Sequence, residues 1–252
     1  MASSSFETTF ALRFAERWKE PPRATWALLA PLAAFFGLSL FLEHRLNFAA
    51  VLLFGAKINA AISAGEHWRL LSDAFLHANF LHLFVNAYAL LILGTLTERV
   101  MGWPRLVILF VLAAIVGSLC SWRFVESPSL GASGAIFGLL GGVTVFGIRY
   151  GRYLPMELRP LFGRSMILSL LLNAAIGLTF YRYIDNYAHA GGLLTGASLT
   201  LLLGDEVASP RRFKPLVGGL LAGVFLAVLY TWWKMFQNFF LLWFLGSARG
   251  TG

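Results

Sequence analysis

The chain runs to 252 residues, 58% of them hydrophobic and only 13% charged, with a formal net charge of +8. So few ionisable groups cannot cover a water-soluble surface, and so large an apolar fraction exceeds what one globular core takes up, which makes the bilayer the expected solvent. The basic excess argues against nucleic acid as a partner, because the Lys and Arg stand in short clusters between apolar stretches, the pattern that orients membrane helices.

At the start of the chain, Phe6, Phe10, Phe14 and Trp18 recur every fourth residue. Residues 1–25 are therefore expected to be a cytoplasmic segment forming an interfacial helix with an aromatic stripe, a disordered tail or targeting peptide being the alternative. The first apolar run follows Arg13, Arg17, Lys19 and Arg23, so it is expected to stay in the membrane and not to be a removable signal. At about 20 apolar residues per helical span, spans are expected at 26–42, 79–97, 104–124, 130–149, 164–181, 186–203 and 216–233. Breakers at Pro21-Pro22, Gly102-Trp103-Pro104, Pro128, Pro155, Pro160, Pro210 and Pro215 separate them. Segment 43–78 is interrupted by Glu43, His44, Arg45, Lys57, Glu66, Arg69 and Asp73 and is expected to be a long structured loop at the interface. Met235–Leu245 is too short to span alone; it either lies in the outer interface or completes one long tilted helix over 216–245.

The expected fold is thus an all-α, polytopic transmembrane bundle of about seven spans. Its parts would be the N-terminal segment, a six-helix core over 26–204, and an additional helix and tail over 205–252. With a cytoplasmic N-terminus, 13 of the 20 Lys and Arg fall on the inner side, so the positive-inside rule favours that orientation. Cys120, the single cysteine, excludes an internal disulfide and any multi-cysteine metal site, and inside an apolar run it reads as a small buried hydrophobe.

In this topology the even-numbered spans enter from outside, and each carries its unusual polar residues within its first two turns. Span two has His82 and Asn86 on one helical face, span four has Ser133, and span six has His189. Polar side chains in hydrocarbon are costly, so a shared depth on three helices points to one hydrated cavity just below the outer surface. Glycine decides how closely those helices approach: span four holds Gly131, Gly134, Gly138, Gly141 and Gly142, and span six holds Gly191, Gly192 and Gly196. Close approach is what a short serine side chain needs to come within roughly 3 Å of an imidazole on another helix, which can then take its proton during nucleophilic attack. Taken singly, Ser133 reads as a packing residue and Asn86 as interhelical glue; their joint placement carries the argument.

From about Glu66 to Gly204 the residues resemble the rhomboid family of intramembrane serine proteases. The likeness rests on His77-x4-His82-x3-Asn86, Gly131-Ala132-Ser133-Gly134, Ala188-His189-Ala190-Gly191-Gly192, the pair Trp68-Arg69 and Gly94-x3-Glu98-x3-Gly102. The seventh span resembles the six-plus-one arrangement of some members. The resemblance implies an endopeptidase that cleaves transmembrane segments through a Ser133–His189 dyad and an acyl-enzyme. It assigns oxyanion stabilisation to Asn86, His82 and the Ser133 backbone N–H, with Gly131, Gly134, Phe137 and Gly192 in support. Phe137 stands where many members carry Tyr, and is expected to pack on the His189 ring. Asp185 is expected to cap the sixth span instead of completing a triad. His77 is expected to make a structural hydrogen bond, Trp68 and Arg69 to anchor the loop at the interface, and Glu98 to be a structural partner. The implied partners are a transmembrane protein substrate and the bilayer, with no cofactor and no metal, and the implied setting is a bacterial inner membrane. The chief alternative is a non-catalytic rhomboid-like protein that binds membrane clients, set apart by whether the Ser–His pair is intact. A transporter would place its polar residues near mid-membrane, and a zinc protease would need His-Glu-x-x-His, which the chain lacks.

Overall fold

The computed structural model describes residues 2–46, 49–208 and 214–249. It is all-helical, with no strand among the described residues; the one β-type pairing is between Lys57 and Ser129, whose backbones exchange hydrogen bonds of 2.9 and 3.1 Å. The helices are α1 (Ala2–Lys19), α2 (Arg23–Leu46), α3 (Ala49–Gly55), α4 (Asn59–Ser63), α5 (Arg69–Ser72), α6 (Phe80–Met101), α7 (Trp103–Phe124), α8 (Ser133–Tyr150), α9 (Arg159–Phe162), α10 (Arg164–Thr179), α11 (Asn186–Leu203) and α12 (Lys214–Arg249).

Six helical stretches are long and apolar enough to cross a membrane: α2, α6, α7, α8 with its following turn, α9–α10, and α12. The seventh expected span, α11, forms over the expected residues but is only 18 residues long, and Asn186, His189 and its glycines dilute its apolar character. It packs on α7 and α8 through its glycine face, while Leu194, Leu201 and Leu202 on its other side are exposed. The backbone carbonyls of α8 touch the α11 glycines: an added methyl at Gly192 or Gly196 would collide with the carbonyl oxygen of Gly134 or Gly138. In lipid, where apolar surface gives no drive to associate, such close packing is what holds helices together.

Two boundaries differ from expectation. Helix α8 begins at Ser133 and not at 130, because Gly131 takes φ +129° and gives its N–H to the Asp73 carbonyl at 2.9 Å, turning the chain before the helix starts. Helix α12 is one continuous rod of 36 residues, about 54 Å at 1.5 Å per residue, so the long-helix alternative applies. Its distal half is held by Phe35, Phe41, Phe54 and Phe75, which pack against Trp232, Phe236, Phe239 and Trp243. Pro210 lies outside the described residues.

Of the expected loop over 43–78, residues 43–46 continue α2 and residues 49–78 fold as a structured cap on the Ser133 end, built from α3, α4, α5 and a 3-10 turn at Asp73–Phe75. Trp68 and Arg69 anchor it from within, both side chains being buried in the cap itself. Arg69, 4% exposed, donates to the carbonyls of Leu52, Leu53 and Ala56 at 2.9–3.1 Å and pairs with Glu66, so a fixed cation satisfies the open carbonyls at the end of α3. At the opposite end, Glu98 accepts the N–H groups of Ala24 and Thr25 and the Thr25 hydroxyl, capping the start of α2. The aromatic stripe of α1 is taken up by protein, with Phe10 and Phe14 buried among Phe146, Tyr150, Tyr153 and Phe162. Arg17 ties α1 to the carbonyls of Glu98 and Arg99.

Candidate active site

Ser133 is the first residue of α8, so its backbone N–H has no acceptor within the helix. Across from it, His189 lies one turn into α11, and its Nε2 is 2.8 Å from Ser133 Oγ. Phe137, one turn after Ser133, stacks on the imidazole with ring centroids 4.1 Å apart and planes 12° from parallel, fixing the ring from its face. Asp185 caps α11: one carboxylate oxygen accepts from Ala188 N–H at 3.0 Å and the other from the Ser121 hydroxyl. Both oxygens are thus occupied, and Asp185 orients the helix that carries the histidine, not its ring.

His82 and Asn86 come from α6, whose start is capped by Asn79 through the His82 N–H at 2.9 Å. The His82 ring lies against Gly131, where an added Cβ would be 2.7 Å from its Nε2, so only glycine fits there. Asn86 is buried and gives one amide N–H to the His82 carbonyl at 2.9 Å, leaving its second N–H available. The structure therefore brings Ser133, His189, Phe137, Gly131 and His82 together, with Asn86 one turn below His82.

His77 departs from expectation. It is 1% exposed, edge-on to His82 at 5.1 Å, and neither ring nitrogen has a hydrogen-bond partner among the described residues. Burial, and then the neighbouring His82, depress its pKa to about 3, so the ring is neutral and acts here by packing.

Asp73, which in the sequence is only an interruption of an apolar run, joins the cap to the site. Its carbonyl holds Gly131, two residues before Ser133, and its carboxyl accepts the Ser118 hydroxyl of α7 at 2.7 Å. Burial raises that carboxyl to about 7, against the lowering effect of its hydrogen bonds from Ser118 and the Ala74 N–H. Lys57, fully buried, donates to Asn59, Val125 and Ser127 and so joins the cap to the turn between α7 and α8. The only available signal for either was an ionisable residue among apolar neighbours.

A family model described as the Rhomboid domain matches residues 64–206, a span that contains every residue of this site. "Rhomboid protease GluP" of Bacillus subtilis is 34% identical over 213 residues, covering 83% of this chain and 40% of that protein. "RHOMBOID-like protein 4" of Arabidopsis thaliana is 33% identical over 190 residues, covering 69% and 46%. "Rhomboid-like protease 3" of Toxoplasma gondii is 32% identical over 179 residues, covering 70% and 67%. The chain spans less than half the length of the first two. A matched domain over more than half the chain, with apolar helices long enough to span a bilayer, makes this an integral membrane protein that belongs to the rhomboid family.

Proposed function

We propose that the chain is a serine-type intramembrane endopeptidase that cleaves transmembrane segments of other membrane proteins, with Ser133 as nucleophile and His189 as general base. The observation that carries the reading is the 2.8 Å approach of His189 Nε2 to Ser133 Oγ from a different helix, under a stacked aromatic ring. A packing serine has no need of an oriented imidazole.

In this mechanism the proton on Oγ moves to Nε2 as Oγ bonds to the scissile carbonyl carbon. The oxyanion is met by the free Ser133 N–H, the second Asn86 N–H and His82. Collapse breaks the C–N bond, and the proton on Nε2 passes to the leaving nitrogen. Water then attacks the acyl ester with His189 taking its proton, and Oγ leaves and recovers it. A peptide in an intact helix is shielded from such attack, so the substrate segment must unwind at the Ser133 end. The Ser133 end faces the outside and the N-terminus the cytoplasm, in a membrane such as a bacterial inner membrane, because the arginine-rich turns lie at the other end.

The test is fluorophosphonate labelling in liposomes alongside cleavage of a generic transmembrane substrate. Wild type should label at Ser133 and cleave, while Ser133→Ala and His189→Ala do neither and remain folded. A folded wild type that binds the substrate but neither labels nor cleaves would make the protein a client binder instead.

A further inference from the structure

At the arginine-rich end, α8 and α10 part and leave a cleft of about 580 Å³ lined by Thr144, Ile148, Ile167, Leu168, Leu171 and Arg164. Ile148, Leu168 and Leu171 are 75%, 63% and 64% exposed, so the cleft opens sideways, toward the position of lipid tails. Helix α10 buries only Met166 and Gly177 among its 16 residues, and among the described residues the cleft beside it is left open. Dense packing is the rule for helices in a membrane, so such a gap is a seat for an acyl chain.

The charge at its lip decides which lipid. Residues 149–164 hold four arginines and a single acid, Glu157. Three of the four are engaged: Arg149 lies over Tyr150, Arg152 contacts Tyr153, and Arg159 donates to the carbonyls of Leu154 and Arg152. Arg164, the first residue of α10, is exposed and has no hydrogen-bond or ion-pair partner among the described residues. A guanidinium at the headgroup level presents a planar fork that matches a phosphate. Topogenic charge accounts for arginines in this turn but not for an apolar cleft under one of them.

We propose that this cleft binds an anionic phospholipid, with one acyl chain between α8 and α10 and the headgroup phosphate on Arg164. The bound chain would complete the packing of α10. The site lies at the far end of α8 from Ser133, and its occupancy is read without any proteolysis, so this inference and the protease reading stand or fall separately.

The experiment reconstitutes the full chain in mixed vesicles of phosphatidylcholine and phosphatidylglycerol, extracts it into mild detergent, and counts retained lipids by native mass spectrometry. Wild type should retain phosphatidylglycerol over phosphatidylcholine by about fivefold, the effect of one well-placed basic residue at an anionic surface. Arg164→Gln should remove that preference while a lipid is still retained, and Arg152→Gln should leave it intact. Thr144→Phe, which fills the cleft, should abolish retention of both lipids, and Ile148→Trp serves the same purpose should the first variant fail to fold. Added glycerol phosphate should not compete. Equal retention of the two lipids by wild type, a preference that survives Arg164→Gln, retention indifferent to filling the cleft, or displacement by glycerol phosphate alone would each overturn the proposal.

Discussion

Helices α10 and α11 follow one another in the chain and are of similar length, 16 and 18 residues, yet they meet the rest of the protein in opposite ways. Helix α11 presents Gly191, Gly192 and Gly196 to α7 and α8, so closely that backbone touches backbone and Cys120 fills what remains. Helix α10 presents leucine and isoleucine outward, and Ile167, Leu168, Leu171, Leu172 and Ile176 are all exposed. Lipid tails are as apolar as leucine, so leucine gains nothing by leaving them, whereas glycine gains contacts by letting a neighbour approach. The residues that must hold a 2.8 Å geometry, Ser133 and His189, lie on the two helices locked by glycine. The helix with little hold on its neighbours carries none of them.

The strongest way to break this contrast is to give α11 a side chain. Gly196→Val would drive a β-branched group into the Gly138 carbonyl, where no flexible side chain can yield. We expect a loss of stability above the usual 1–3 kcal/mol of overpacking, visible as loss of the monodisperse folded species and of Ser133 labelling together. A folded Gly196→Val protein with wild-type labelling would show that the glycine seam does not set the dyad.

Helix α6 lies between these extremes, and Asn86 tests whether the site extends to it. Asn86→Ala should lower turnover per folded molecule by about 10- to 100-fold, with little change in substrate binding, since an oxyanion donor acts mainly in the transition state. Among the described residues its one hydrogen bond is to its own helix, at the His82 carbonyl, so the melting temperature should move little. Turnover that falls only in step with the folded fraction would assign Asn86 a packing role.

Periodicity and breakers made the membrane helices legible, because a bilayer imposes length and composition locally on each span. Ser133, His189, His82 and Asn86 stood out as candidates for a different reason: polar residues at a shared depth are conspicuous in apolar surroundings. What escaped the sequence depends on partners distant in the chain. Arg69 reads as an exposed interfacial anchor until α3 folds back and offers it three carbonyls. The stripe on α1 has the same appearance whether it meets lipid or Phe146 and Phe162, and only the fold decides. His77 differs from a hydrogen-bonded histidine only in what surrounds it. Asp73 matters because its backbone, which carries no residue-specific signal, holds Gly131.

Asp73 sharpens the contrast through pH, since it joins the cap to the locked helices. Its carboxyl is raised from 3.8 to about 7 in the folded protein, so between those values the folded state binds the extra proton. The stabilisation is complete below pH 4, declines as pH rises, and is exhausted above about 7. For a carboxyl shifted that far, the loss between pH 6 and pH 8 is about 1.4 kcal/mol. Relative to Asp73→Asn, which can still accept from Ser118, wild type should therefore lose melting temperature across that interval; the comparison cancels the opposite contribution of His77, whose depressed pKa adds stability as pH rises through the ordinary imidazole range. A difference between the two proteins that stays constant with pH, or that shifts in favour of wild type as pH rises, would place an ionised carboxylate in the folded protein.

The smallest effect is expected on α10 itself, and a near-zero result there is informative. Leu171 is 64% exposed on the bilayer side of the helix and lines the cleft beside α8. In water, truncating a large exposed apolar side chain changes little, and in lipid the removed methyl groups are replaced by acyl chain of the same polarity. Leu171→Ala should thus shift stability by less than about 0.5 kcal/mol, against the several-fold larger loss at Gly196. Equilibrium unfolding of both variants in one lipid composition makes the comparison direct. A loss at Leu171 matching that at Gly196 would mean that α10 is held by contacts as firm as those of α11, and the division between a glycine-locked helix and a lipid-held one would have to be given up.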